Sequence, residues 1–120
     1  MIYLATPYSD PNAGVRIDRA WEARRYMAAL MKAGHVVFCP IAMTHDTAEE
    51  YGLPYEFEFW DRMNREFISV SSEVIIAQIP GWRKSRGVTH ELTIAADIKK
   101  PVRYARFVSD ILRLTMEPQS

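Results

Sequence analysis

The segment Ser85-Arg86-Gly87-Val88-Thr89-His90-Glu91 combines residue types that can hold an anion and act on what carries it. It follows the aliphatic run Val74-Ile75-Ile76-Ala77 and opens a helical pattern. Ser85 is suited to cap that helix through its hydroxyl. Gly87 takes a side chain out of the first turn, so a ligand can come close to the backbone amides. Open amides and the positive end of the helix dipole bind anions, phosphates in particular. The bland alternative is an ordinary capped helix that contains a glycine.

Glu91 weighs against the bland alternative. Stepping about 100° per residue from Val88 puts Leu92, Ala95, Ala96 and Ile98 around the apolar side and Thr89, His90, Thr93 and Asp97 opposite. Glu91 falls within the apolar stripe, between Ala95 and Ile98. A carboxylate there is costly unless it is paired or lines a cavity. It is either half of a buried ion pair with an arginine, or the floor of a pocket with a perturbed pKa.

Other residues carry weaker signals. Tyr3 lies in a short strand whose C-terminal end is the expected site, within reach of a carboxylate there; packing with a satisfied hydroxyl is the ordinary role. Tyr8 and Ser9 sit in the loop that follows, and Ser9 offers a second hydroxyl to an anion. Glu73 precedes the aliphatic strand and by default is a solvated strand-edge charge. Asp61 borders the apolar stripe of its helix, at helical spacing from Arg65. His45 and Asp46 have no third ligand at a recognisable spacing, so no metal site is expected, and His45 is either substrate-contacting or structural. The aromatics Tyr51, Tyr55, Phe57, Phe59 and Trp60 can stack a planar ring, or serve as core or interface.

The elements that position these residues alternate. Strands are expected at Ile2–Ala5, His35–Cys39, Val74–Ile79 and Pro101–Tyr104. Helices are expected from Ala13 to Ala33, from Tyr55 to Ser71, from Ser85 to Lys99 and from Phe107 to Met116. Thr6 to Asn12, Pro40 to Pro54 and Pro80 to Lys84 are expected as loops. This alternation predicts an α/β fold: one domain over residues 1–120, with an open, mainly parallel sheet of four to five strands flanked by helices. Ligands in such sheets bind where the strands' C-terminal ends open into loops.

Composition narrows the function classes. The chain of 120 residues is 48% hydrophobic, too apolar for a disordered segment. Fifteen basic and fifteen acidic side chains cancel, which argues against a nucleic-acid-binding protein. The single cysteine, Cys39, excludes an internal disulfide framework. The first residues lack a basic region leading into an apolar run, and no stretch approaches a membrane span, so a cytoplasmic protein without membrane association is expected. Apolar residues spread around the first helix, Ile17, Trp21 and Met31 among them, hint at a homo-oligomer contact.

Four segments in order, Ile2-Tyr3-Leu4-Ala5-Thr6-Pro7-Tyr8-Ser9, Gly34-His35-Val36-Val37-Phe38 with Pro40-Ile41, Glu73-Val74-Ile75-Ile76-Ala77, and Ser85-x-Gly87-Val88-x-x-Glu91-Leu92, resemble the nucleoside 2-deoxyribosyltransferase superfamily. The likeness is to a branch with a Tyr-Leu-Ala-x-Pro-Tyr-Ser opening and a Pro-Gly-Trp…Ser-x-Gly ending. The deoxynucleoside 5'-monophosphate N-hydrolases and cytidylate N-hydrolases are more distant. It covers about residues 2–104 and implies a flavodoxin- or Rossmann-like fold and a homodimer or larger assembly.

The resemblance implies that Glu91 is the catalytic glutamate and that Tyr3 positions it. It implies that Ser85 and Gly87 form a phosphate-binding turn, with Ser9 in the other phosphate-contacting loop. Glu73 stands where those relatives carry an aspartate. The transferases place an acid in the loop after that strand, but here the loop reads Pro80-Gly81-Trp82-Arg83-Lys84, which leaves Glu73 or Asp61 to protonate the leaving base. The expected function is an N-glycosidase acting on a small-molecule nucleotide, a (deoxy)nucleoside 5'-monophosphate, with no cofactor and no metal. Arg83 and Lys84 favour a phosphorylated substrate, hence a hydrolase over a deoxyribosyltransferase. The alternatives are a nucleotide-sensing domain without turnover and, more weakly, a phosphatase.

Overall fold

The computed structural model describes residues 1–119. A single five-stranded sheet organises the chain, in the order β2-β1-β3-β4-β5. Its strands are β1 (Ile2–Ala5), β2 (Val37–Phe38), β3 (Glu73–Ala77), β4 (Val102–Val108) and β5 (Ile111–Thr115). β1 pairs in parallel with β2 and β3, and β3 with β4; only β4–β5 is antiparallel. The helices are α1 (Ala13–Lys32), α2 (Pro40–Tyr51), α3 (Phe57–Val70) and α4 (Arg86–Asp97). The expected open α/β sheet is the architecture found.

Strand alternation sends successive side chains to opposite faces. Leu4, Ile75 and Ala77 face α1, where they pack with Ala23, Tyr26 and Leu30. Tyr3, Val74 and Ile76 face the other side and pack with Ile68 of α3 and Val88 and Ile94 of α4. β1 and β3 are buried along almost their whole length, as covered parallel strands should be. α1 is capped by Asn12, whose side chain accepts from the Gly14 and Val15 amides.

Two elements differ from expectation. The stretch Pro40–Pro54 is not a loop, because Pro40–Tyr51 forms α2. Pro40 takes the first helical position, where its missing amide is no loss, and Gly52 ends the helix in the left-handed region at φ 67°. The inward positions Ile41, His45 and Ala48 keep helical spacing, but a buried histidine in the middle masks the apolar period. The stretch Phe107–Met116 is not a helix. β4 continues to Val108, Ser109 and Asp110 turn the chain at φ 49° and 62°, and β5 returns. Two successive positive φ values are those of a tight two-residue hairpin, and Leu112 and Leu114 alternate inward onto the α1-side core.

Candidate active site

The order β2-β1-β3-β4 reverses direction between β1 and β3, and a crevice opens there at the strands' C-terminal ends. A cleft of about 580 Å³, counted to its open mouth, occupies this position. The β1–α1 loop contributes Thr6, Tyr8 and Ser9 to its wall; α3 and the residues before it contribute Tyr55, Phe57, Trp60, Asp61 and Asn64. Ser85, Gly87, His90, Glu91 and Ile94 come from α4 and its cap.

Glu91 is 7% exposed, and Val88, Ile94 and Ala95 are the other buried residues of α4. The buried stripe is rotated from the one expected, since Ala96 and Ile98 are exposed and Ile94 takes the inward place. Glu91 therefore lies in the middle of the inward face. Its hydrogen-bond partner is a tyrosine rather than an arginine. The Tyr3 hydroxyl donates a short hydrogen bond to Glu91 Oε2. Burial pushes the Glu91 carboxyl up to about 8, while the bond from Tyr3 pulls the other way by favouring the carboxylate. Burial, then the neighbouring Glu91 charge, raises the Tyr3 phenol, so it remains a donor. A buried acid shifted in this way, on the wall of a cleft, is a candidate for a functional group.

The start of α4 is built as the sequence predicts. Ser85 Oγ accepts from the Val88 amide at 3.2 Å, and the Thr89 amide begins the helical ladder on the Ser85 carbonyl. The Arg86 and Gly87 amides precede that ladder, so the helix itself gives them no partner. Ser9 and Ser85 also border a second cavity, about 770 Å³ to its mouth, whose wall holds Arg19 and Lys84 beside Asp10, Glu56 and Glu58. Arg19 donates to the Tyr8 and Ser9 carbonyls and passes under Gly81, tying two site loops together. Gly81 has a φ of 95°, and a Cβ there would stand 2.7 Å from the Arg19 guanidinium, so both backbone and space call for glycine. Arg83 instead lies over the Trp82 ring at 4.5 Å, outside both cavities.

Asp61 and Glu73, the two candidates for the acid, part ways. Asp61 lines the cleft, accepts from Arg65 Nε at 2.8 Å and meets His90 Nε2 at 2.5 Å. Partial burial alone would raise its pKa, but the hydrogen bonds from Arg65 and His90 prevail and hold the carboxyl below its usual range. It is a fixed anion and a poor proton donor. Glu73 shares its face of β3 with Ile75 and Ala77, toward α1, opposite to Glu91. It pairs with Arg103 at 2.5 Å and is absent from the cleft wall. The expectation that Glu73 reaches the site is corrected on this ground.

His45 is also behind the wall. It is 7% exposed, and its Nδ1 lies 2.7 Å from the hydroxyl of Tyr8, which does line the cleft. Tyr8 contacts Glu49, which Arg16 Nε holds at 2.9 Å. Burial, then the Glu49 charge, raises the Tyr8 phenol to about 12. Ser9 Oγ donates to the Tyr55 carbonyl at 2.7 Å, joining the β1 loop to the start of α3. His90, placed by periodicity on a polar face, is the cleft residue that the sequence reading undervalues. Thr6 and Asn64 also line the cleft, and their side-chain oxygens are buried without a hydrogen-bond partner among the described residues.

A family model described as a domain of unknown function (DUF1937) matches residues 1–106. The chain belongs to the DUF1937 family. The match runs from β1 into β4 and spans every residue of both cavities, whereas β5 lies beyond it. No curated protein matches the chain. Among the described residues of this DUF1937 member, no helix is long and apolar enough to cross a membrane.

Proposed function

We propose that this protein is an N-glycosidase that hydrolyses a (deoxy)nucleoside 5'-monophosphate to free base and the sugar 5-phosphate. The observation that carries the reading is Glu91: a buried carboxyl, oriented by Tyr3, facing a cleft about 6 Å along α4 from the Gly87 amide. A pentose spans such a separation, with its phosphate on the helix N-terminus and its anomeric carbon over the carboxylate. Cleavage of the glycosidic bond builds positive charge on that carbon, which Glu91 stabilises or traps covalently. Tyr3 holds the carboxylate in place. Ser85 and Gly87 form the phosphate subsite at the helix N-terminus, with Ser9 on its wall. Tyr55, Phe57 and Trp60 offer flat surfaces to the base.

A phosphate subsite favours the hydrolase over a deoxyribosyltransferase that takes unphosphorylated nucleosides. It also fits a cytoplasmic enzyme, where such monophosphates occur. Outward apolar residues of α1, with Trp21 63% exposed, support a homodimer. A second reading, a nucleotide-sensing domain without turnover, is favoured by the lack of an acid in the Pro80–Lys84 loop.

The test is a panel of ribo- and deoxyribonucleoside 5'-monophosphates assayed for free base by chromatography. Release of one base, faster from the monophosphate than from its nucleoside, supports the hydrolase. Saturable binding with no release from any member supports the sensing domain.

A further inference from the structure

We propose that His90, held by Asp61, is the group that delivers a proton to the leaving base. This inference rests on the N-glycosidase reading and supplies the acid that reading lacks. Expulsion of a base as its anion is slow, so a donor beside it is worth about 10²–10⁴-fold.

The cleft presents few candidates. Glu73 faces the opposite side of the sheet, and the Pro80–Lys84 loop carries no acid. Asp61 is already engaged by Arg65 and His90. Glu91 is required beneath the sugar. His90 remains, next to Glu91 on α4 and on the wall of the same cleft. Its side chain is 30% exposed, its Nε2 is committed to Asp61, and its Nδ1 has no partner among the described residues. The Phe57 ring packs against the imidazole with centroids 5.1 Å apart and also lines the cleft. A base lying on Phe57 is thereby held next to the imidazole. Arg65 Nε donates to the other Asp61 oxygen at 2.8 Å, so the carboxylate keeps its charge while its Oδ1 accepts from His90 Nε2 and orients the imidazole.

The step balances as follows. The carbon–nitrogen bond breaks, its electron pair stays with the base, and the base takes the proton from the His90 imidazolium. A Glu91 oxygen bonds to the anomeric carbon. Water then attacks that carbon, the Glu91 bond breaks with its electrons returning to the carboxylate, and the water's proton goes to His90. Asp61 acts through His90 and is a positioning residue.

The experiment compares two substrates of the same sugar 5-phosphate. One is the nucleoside monophosphate that the wild-type protein turns over fastest; the other carries para-nitrophenolate, which leaves without a proton. His90→Ala is expected to lose about 100-fold or more in kcat/KM on the nucleotide and less than about fivefold on the nitrophenyl compound. Asp61→Asn should show the same selectivity to a smaller degree. Activity of both variants on the nitrophenyl compound certifies their fold. Equal losses on the two substrates, or no loss on the nucleotide, overturn the role of His90 while leaving Glu91 in place. A wild-type protein that releases base from no nucleotide overturns the N-glycosidase reading itself, and this inference with it.

Discussion

Tyr3 on β1 and Glu91 on α4, 88 residues apart in sequence, share a hydrogen bond between phenol and carboxylate at the floor of the cleft. The bond fixes the direction of the carboxylate and partly offsets the effect of its burial. Loss of the phenol in Tyr3→Phe removes the stabilisation of the charged form, so the Glu91 pKa must rise above about 8. The expected result is a pH–rate profile whose rising limb moves to higher pH, with a lower kcat at neutrality. Base release across pH 6–10 checks this, and an unmoved limb counts against Tyr3 as the positioning group.

The same raised pKa makes Glu91 a cost to stability at alkaline pH. The unfolded glutamate titrates near 4.5 and the folded one near 8, so between those values the native state holds a proton that the unfolded state has lost. Stability therefore falls as pH rises through that window and levels off above it. Glu91→Gln removes the titration. Its stability should lie close to that of the wild type near pH 5 and exceed it at pH 9, by a few kcal/mol at most. Thermal unfolding at both values measures this, and a pH-independent difference speaks against a buried, protonated Glu91.

Gly87→Ala tests the proposed phosphate subsite without disturbing the fold. A Cβ there meets Phe57 Cβ at 3.5 Å and Ser85 Oγ at 3.8 Å, ordinary contacts, so the chain accepts Gly87→Ala. The new methyl stands on the cleft side of the first-turn amides. The variant should melt at or slightly above the wild-type temperature, alanine being the better helix former by about 1 kcal/mol. It should bind monophosphates about tenfold or more weakly, an effect equivalent to about 1.4 kcal/mol. Calorimetric titration with a nonhydrolysed monophosphate decides, and undiminished affinity removes the phosphate from this helix end.

Glu73 provides the contrast. It points toward α1 and pairs with Arg103, whose Nε is already buried without a partner. Glu73→Gln should cost about 1–3 kcal/mol of stability through that arginine and leave kcat/KM within about twofold. A large loss of turnover in a folded variant contradicts its exclusion from the site.

Much of this arrangement is legible in the sequence where local rules act alone. The Ser85 cap, the Gly34 stop after α1 and the aliphatic run of β3 follow from capping and burial within a few residues. Glu91 is recognisable as a carboxylate out of place on an apolar stripe. Less is legible where distant segments decide. His45 interrupts the apolar period of α2 because its partner is Tyr8, 37 residues away. The Ser109-Asp110 turn lacks the glycine that usually marks such hairpins, so β5 reads as a helix. His90 and Asp61 lie on different helices, and only the packing of α3 on α4 brings them together. Glu73 is misjudged because strand parity relative to Glu91 emerges only with the register of β1 and β3.

The central claim is that Glu91 acts on the anomeric carbon. The most direct measurement is single-turnover base release by wild type and Glu91→Gln on the best monophosphate of the panel, with binding of the same nucleotide measured in parallel. Glu91→Gln should bind the nucleotide within a few-fold of wild type and release base ~10³-fold more slowly or worse. Comparable release rates from the two folded proteins would contradict it.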